Sequence, residues 1–185
     1  EYQIPVFMDY KKSILLNAFV EYVRSVLSMV EQDFSYESVF RFLRTGFTEF
    51  TRDEIDRLEN YVVAVGLRGY KKWQAVWARK TSSADEEELA VLNGLRVRFV
   101  EMTESLVFVL KQRKKTVRDI CEAVYRFFVE NQIQEKLKVM ENCFAEKKEL
   151  ALAKEYAQIY RIVLELFDKF AELLGDEGIS LERVL

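Results

Sequence analysis

Apolar residues recur at intervals of three and four along most of this chain, the spacing of one helical face. Phe19, Val20, Val23, Val26, Leu27 and Val30 predict a helix from about Asn17 to Glu31. Ser35 is a good N-cap for a short helix, Tyr36 to Arg44, ended by Gly46. Thr51 and Glu54 have the spacing of a capping box, and the helix they open carries Ile55, Leu58, Val62 and Val65 on one stripe. Gly66 stands where a left-handed C-terminal cap is wanted. After the loop "TSSADEEE", Leu92, Leu95, Phe99, Met102, Leu106 and Val109 form a coiled-coil-like seam that runs to about Lys111, packed most simply on an antiparallel neighbour. Thr116 and Asp119 cap a helix from Val117 to about Asn131, and another covers Ile133 to about Ala145. The last long helix, about Glu149 to Leu174, is apolar on two adjacent rows. One row is Leu150, Ala153, Ala157, Tyr160, Leu164, Phe167, Ala171 and Leu174, and the other is Ile159, Val163, Leu166, Phe170 and Leu173. So wide a stripe predicts a central position in a bundle. Gly175 ends that helix and Ser180 starts another. Only Gln3 to Met8, with Pro5 inside it, reads as a strand, at an edge or terminus.

These elements predict an all-α, irregular bundle of about seven or eight helices with a short N-terminal strand remnant. Length and composition agree. The chain has 185 residues, 50% of them hydrophobic, with one proline and six glycines. That is one domain's worth of chain, too apolar for disorder and too poor in turn residues for a many-stranded sandwich. No apolar run approaches the ~18 residues of a membrane span. Cys121 and Cys143 have no C-x-x-C spacing and read as small buried residues in a reducing, cytoplasmic setting. The chain opens in a strand-like phrase, "EYQIPVFMD", and closes on "ISLERVL", a starting helix. Both ends read as interrupted elements, so a piece of a longer protein is expected.

The chemistry is marked first by what is missing. There is no histidine, which removes the commonest general base and metal ligand and every Ser-His or Cys-His nucleophile pair. No G-x-x-x-x-G-K-[ST] loop occurs. Asp53, Asp56 and Glu59 share a helix with Arg52 and Arg57, which reads as a solvated, ion-paired face. Net charge is −3, but it is uneven. Arg68, Lys71, Lys72, Arg79 and Lys80 occur without an intervening acid, as do Lys111, Arg113, Lys114, Lys115 and Arg118. If Tyr70 to Ala78 is helical, Tyr70, Trp73 and Trp77 share one face flanked by the first basic cluster. Two readings of that stripe stand side by side. The rings stack on bases while the cations neutralise phosphates, or the rings are core and the cations are its rim. The candidate DNA-binding residues are therefore Arg68, Lys71, Lys72, Trp73, Arg79 and Lys80. The second cluster is accounted for by the preference for cations at a helix C-terminus. No catalytic, cofactor-binding or metal-binding residue emerges.

"FSYESVFRFLRTGF" followed by "RDEIDRLENYVVAVGLRGYKKW" resembles the B-subunit family of the bacterial AddAB (RexAB) helicase–exonucleases. The resemblance extends upstream to "IPVFMDYKKSILLNAFVEYVRSVL" and downstream to "LNGLRVRF", "IQEKL" and "LAKEYAQIYRIVLELFDKFAELLGDEGISLERVL", nearly the whole chain. One departure is visible: Asn17 and Ala18 stand where the family often has His-Pro. The resemblance implies a much longer parent that processes double-strand DNA ends for recombinational repair. In that parent ATP, Mg²⁺ and an iron–sulfur cluster serve other domains, whose motor and nuclease motifs have no matching positions here. It implies that residues 14–185 are the helical insert of a motor-like domain and that 1–13 are a strand and connector of the host. The partners it implies are DNA, the A subunit and the remaining domains of the parent, in the cytoplasm and without a membrane. The alternative is a stand-alone helical interaction module with no nucleic-acid role.

Overall fold

The computed structural model describes residues 17–82 and 84–178. Among these, eight helices and no strand are formed, an all-α bundle as the periodicity predicts. The strand expected at Gln3 to Met8 and the helix expected from Ser180 lie outside the described residues.

The helices are α1 (Ala18–Glu31), α2 (Tyr36–Leu43), α3 (Arg52–Val65), α4 (Tyr70–Gln74), α5 (Glu86–Leu110), α6 (Val117–Glu130), α7 (Ile133–Glu146) and α8 (Leu150–Leu174). Their starts follow local side-chain chemistry. Asn17 caps α1 by accepting from the Phe19 amide at 2.8 Å, and its amide donates to Glu155 at 2.7 Å, so the cap also ties α1 to α8. Ser35 caps α2. Both predicted capping boxes form, Thr51 with Glu54 on α3 and Thr116 with Asp119 on α6, each satisfying two amides that a helix start leaves unpaired. Gly66 ends α3 at φ 64°, ψ 42°, where a side chain would be strained.

The core is a chain of aromatic contacts. Tyr22 of α1 stacks on Phe127 of α6 at 5.8 Å and meets Phe42 of α2 at 5.2 Å. Phe19 meets Phe128 edge-on at 5.2 Å. On the other side of α5, Phe99 touches Trp73 at 4.6 Å and Phe34 at 6.0 Å, while Tyr61 stacks on Trp77 at 5.1 Å.

Two expectations about the long helices are corrected. The seam of α5 keeps Leu92, Leu95, Phe99 and Leu106 buried, but Thr103 and Leu110 take the inner positions expected for Met102 and Val109. A straight helix drifts from a 3.5-residue repeat, and α5 packs on α3 and α4 as well as on α6, so no single supercoiled partner holds the register. The second correction concerns α8, which is peripheral rather than central. Only Ala153, Tyr156, Ile159 and Val163 are buried on it, while Leu166, Phe170 and Leu173 are exposed, Leu173 by 77%. Its antiparallel neighbour α7 has 14 residues against the 25 of α8, so it covers little more than half of that length. Of the distal rows, the first still meets α6, where Phe167 stacks on Phe128 at 6.1 Å, while Leu166, Phe170 and Leu173 of the second stay exposed.

Candidate nucleic-acid interface

The stretch after Gly66 does not form one helix. The turn of α4 ends at Gln74, and Ala75 is already extended, so Trp77 leaves the face that the i, i+3, i+7 spacing predicts. Its ring still turns inward, held by other means. The Trp77 amide donates to the Asn93 side chain at 2.9 Å, Asn93 donates back to the Trp77 carbonyl at 2.8 Å, and the Trp77 indole donates to the Lys72 carbonyl at 3.0 Å.

Arg96 completes this attachment. It is 6% exposed, and its Nη1 donates to the Trp73 and Gln74 carbonyls at 2.9 and 3.3 Å while its Nε donates to Asn93 at 3.1 Å. These carbonyls end α4 and would otherwise lack partners, so the guanidinium acts as a cap supplied from another helix. Burial pushes the pKa of Arg96 down. Neither Asn93 nor Arg96 was a sequence-level candidate. The available signal was a lone arginine among apolar positions, four residues after Leu92 and three before Phe99, on the buried face.

The attachment lays residues 70–80 antiparallel along α5. Tyr70 lies by Lys111 at the C-terminal end, 5.1 Å from ammonium to ring centroid, Trp73 lies against Phe99, Trp77 against Asn93, and Lys80 pairs with Glu86 at 3.0 Å near the N-terminus. The 25 residues of α5 make this ridge about 38 Å long at ~1.5 Å per residue.

Of the six candidate residues, Arg68, Lys71, Lys72, Arg79 and Lys80 are exposed. Among the described residues, the first four make no ion pair. The pair that Lys80 makes joins two exposed side chains, which holds its charge only loosely. Trp73 is corrected. It is 1% exposed between Trp77 and Phe99, and a ring closed off on both sides cannot stack on a base. Tyr70 and Trp77 are buried too. The aromatic stripe is core, and the cations stand on it.

Gly69 sets the entry to the ridge. Its φ is 88°, and a Cβ placed there would lie 3.1 Å from Asp33 Oδ2. Asp33 accepts from the Tyr70 amide at 3.5 Å and pairs with Lys111. The two glycines of "VGLRGY" thus reverse the chain twice, once to end α3 and once to bring α4 under the Asp33 carboxylate.

Other parts of the surface offer little chemistry. A groove of about 620 Å³ between α6 and α8 is lined by Cys121, Tyr125, Leu164, Phe167 and Asp168 among others. Burial first, and the nearby Asp168 carboxylate second, push the Cys121 thiol pKa up, which disfavours the thiolate that a nucleophile requires. No group of three or more Cys, Asp or Glu among the described residues is arranged to hold a metal ion. No helix among them is long and apolar enough to cross a membrane.

No family model matches the chain. Curated relatives match it almost end to end. The B subunit of an ATP-dependent helicase/deoxyribonuclease from Lachnoclostridium phytofermentans is 42% identical over 183 residues, 97% of this chain and 16% of the relative. B subunits of the same description from Caldanaerobacter subterraneus subsp. tengcongensis and Clostridium acetobutylicum are 38% and 36% identical over 98% and 99% of the chain. This chain belongs, as a segment, with the helicase/deoxyribonuclease B subunits. It spans about a sixth of the length of the relatives it matches. The match takes in the whole ridge of this B-subunit segment, from Gly66 to the far end of α5.

Proposed function

We propose that this segment is a non-catalytic helical body within a subunit that acts on DNA ends for recombinational repair, and that its ridge meets DNA phosphates. The observation that carries the reading is the set of exposed cations Arg68, Lys71, Lys72 and Arg79, which make no ion pair among the described residues and are held on a rigid aromatic base along a helix about as long as eleven base pairs at ~3.4 Å each. Such an array neutralises a phosphate backbone without reading sequence. Kinship with helicase/deoxyribonuclease subunits supports DNA as the polyanion. The exposed distal face of α8 supports a second role. Leu166, Phe170 and Leu173 would rest on the remaining domains of the parent chain or on the A subunit. ATP, Mg²⁺ and an iron–sulfur cluster belong, in this reading, to other parts of the parent.

Two experiments test it. The 185-residue chain incubated with ATP, Mg²⁺ and linear DNA should give no turnover above a blank, and turnover that survives repurification would overturn the accessory role. In the complete two-subunit enzyme, reversing Arg68, Lys71, Lys72 and Arg79 to Glu should weaken binding to a DNA end while leaving DNA-independent ATP hydrolysis unchanged. Unaltered DNA binding would rule the ridge out as a DNA contact.

A further inference from the structure

We infer that the loop between α5 and α6 extends the ridge, and that Arg113 and Lys114 hold the backbone of the same DNA duplex as Arg68, Lys71 and Lys72. This rests on the reading that the ridge meets DNA and adds a second basic cluster to it.

Thirty residues, 81–110, separate the clusters in sequence, and Lys111 joins them in space. Its ammonium pairs with Asp33, which also receives the first amide of α4, and it stands 5.1 Å from the Tyr70 ring centroid and 5.8 Å from that of Phe34. The loop is thus fastened to the start of α4. The cations of the second cluster then divide by what they touch. Lys111 is engaged by Asp33, Lys115 donates to the Gln112 carbonyl at 2.9 Å, and Arg118 donates to the Ala171 carbonyl at 3.3 Å. Arg113 and Lys114 are exposed and make no ion pair among the described residues.

The helix dipole accounts for Lys111, which caps α5, but its influence fades within the last turn. It does not account for two cations further along the loop. They follow Lys111 by two and three residues, within about 7–11 Å of chain. Five cations that make no ion pair among the described residues therefore gather around the α4 start and the loop. The acids nearby are Asp33, neutralised by Lys111, Glu104, close enough to Tyr70 to help raise its pKa after burial has done so, and the exposed Asp176 and Glu177, on the segment whose Glu177 carbonyl accepts from the Val117 amide at 3.2 Å. An anion placed there relieves the mutual repulsion of the five.

The geometry also favours duplex over single strand. Single-strand binders add exposed aromatic platforms to their cations. Here Tyr70, Trp73 and Trp77 all face the core, which leaves the exposed ring of Phe108, one turn before Lys111, beside a much larger set of cations, so phosphate charge dominates what can be recognised. That charge is densest on a duplex, one per ~1.7 Å of axis.

The test measures binding of a 20-base-pair blunt duplex, and of one of its strands, to the 185-residue chain by fluorescence anisotropy between 50 and 200 mM salt. The slope of log affinity against log salt should fall by about 1.8 for Arg113→Gln with Lys114→Gln, and equally for Lys71→Gln with Lys72→Gln, at ~0.9 for each phosphate no longer neutralised. The duplex should bind more tightly than the strand. All four side chains are exposed, so melting temperatures should hold. If the loop double variant melts early, Lys114→Gln alone carries the test with a slope change of about 0.9. If the loop variant binds like the parent while the α4 variant is weakened, this inference fails and the ridge stands. If neither variant is weakened, the ridge fails with it. Equal or tighter binding of the single strand overturns the assignment to duplex.

Discussion

Replacing Arg96 with methionine is the sharpest test of how the ridge is held. The substitution keeps an unbranched stem of similar length but removes every donor. The Trp73 and Gln74 carbonyls lose their bonds of 2.9 and 3.3 Å, and Asn93 Oδ1 loses one of 3.1 Å. A buried acceptor left unsatisfied costs about 1–3 kcal/mol, and two carbonyls are at stake. Against this, the folded state no longer desolvates a guanidinium that no carboxylate pairs among the described residues, and that offset is of comparable size for one ion. The net expectation is a loss of about 1–3 kcal/mol, because two carbonyls are orphaned and one ion is relieved. For a chain of this size that lowers the melting temperature by about 2–12 °C. Arg96→Lys should recover about half, since one ammonium reaches one carbonyl more readily than two. Urea unfolding followed by far-ultraviolet circular dichroism gives the free energies. Tryptophan emission gives the local readout, because Trp73 and Trp77 are both buried beside the affected carbonyls. A destabilisation below about 0.5 kcal/mol, the scatter of ordinary surface changes, would refute the capping role.

Three further outcomes follow from the same geometry. Trp73→Ala should cost about 3–5 kcal/mol by calorimetry, with DNA affinity unchanged at temperatures where the variant is folded, because the ring is core. Stability should fall with acid. The Arg98 guanidinium, 2.9 Å from Glu54, chiefly holds that carboxyl below its ordinary pKa of 4.5, and the Thr116 amide chiefly holds Asp119 below 3.8, so their contributions are complete above those values and vanish as pH drops through the lower folded-state values. Glu54→Gln should therefore flatten the acid limb of a melting-temperature profile. A thiol reagent added to the native chain should modify exposed Cys143 quickly and Cys121 slowly, with both reacting at one rate only after denaturation.

Much of the fold was legible in the sequence where its causes are local. The Thr51–Glu54 and Thr116–Asp119 boxes and the left-handed Gly66 depend on residues within one turn, and they form as their spacing predicts. Periodicity likewise places six of the helices to within a few residues. It misjudged α8, because an apolar stripe records what a helix is suited to bury, whereas burial also needs neighbours of matching length. The exposure of the cations was legible in the sequence, and of the two readings of the rings the structure bears out the one that makes them core. Lys71 and Lys72 lie on the outer face of α4 by the same geometry that turns Tyr70 and Trp73 inward. Trp77 reaches the core only because Arg96 and Asn93, some twenty residues away, receive the extended chain after Gln74. The joining of the two basic clusters through Lys111 and Asp33 spans 78 residues, and no local pattern encodes it.

Whether the ridge of this B-subunit segment meets DNA through its exposed cations is tested most directly by the salt dependence of duplex binding. The 185-residue chain should bind a duplex without sequence preference at roughly 10⁻⁴–10⁻⁶ M near physiological salt, with affinity falling steeply as salt rises. Reversal of Arg68, Lys71, Lys72 and Arg79 to Glu should abolish that binding and leave the melting temperature unchanged. Binding that persists through both the reversal and a rise in salt would contradict a phosphate-binding ridge.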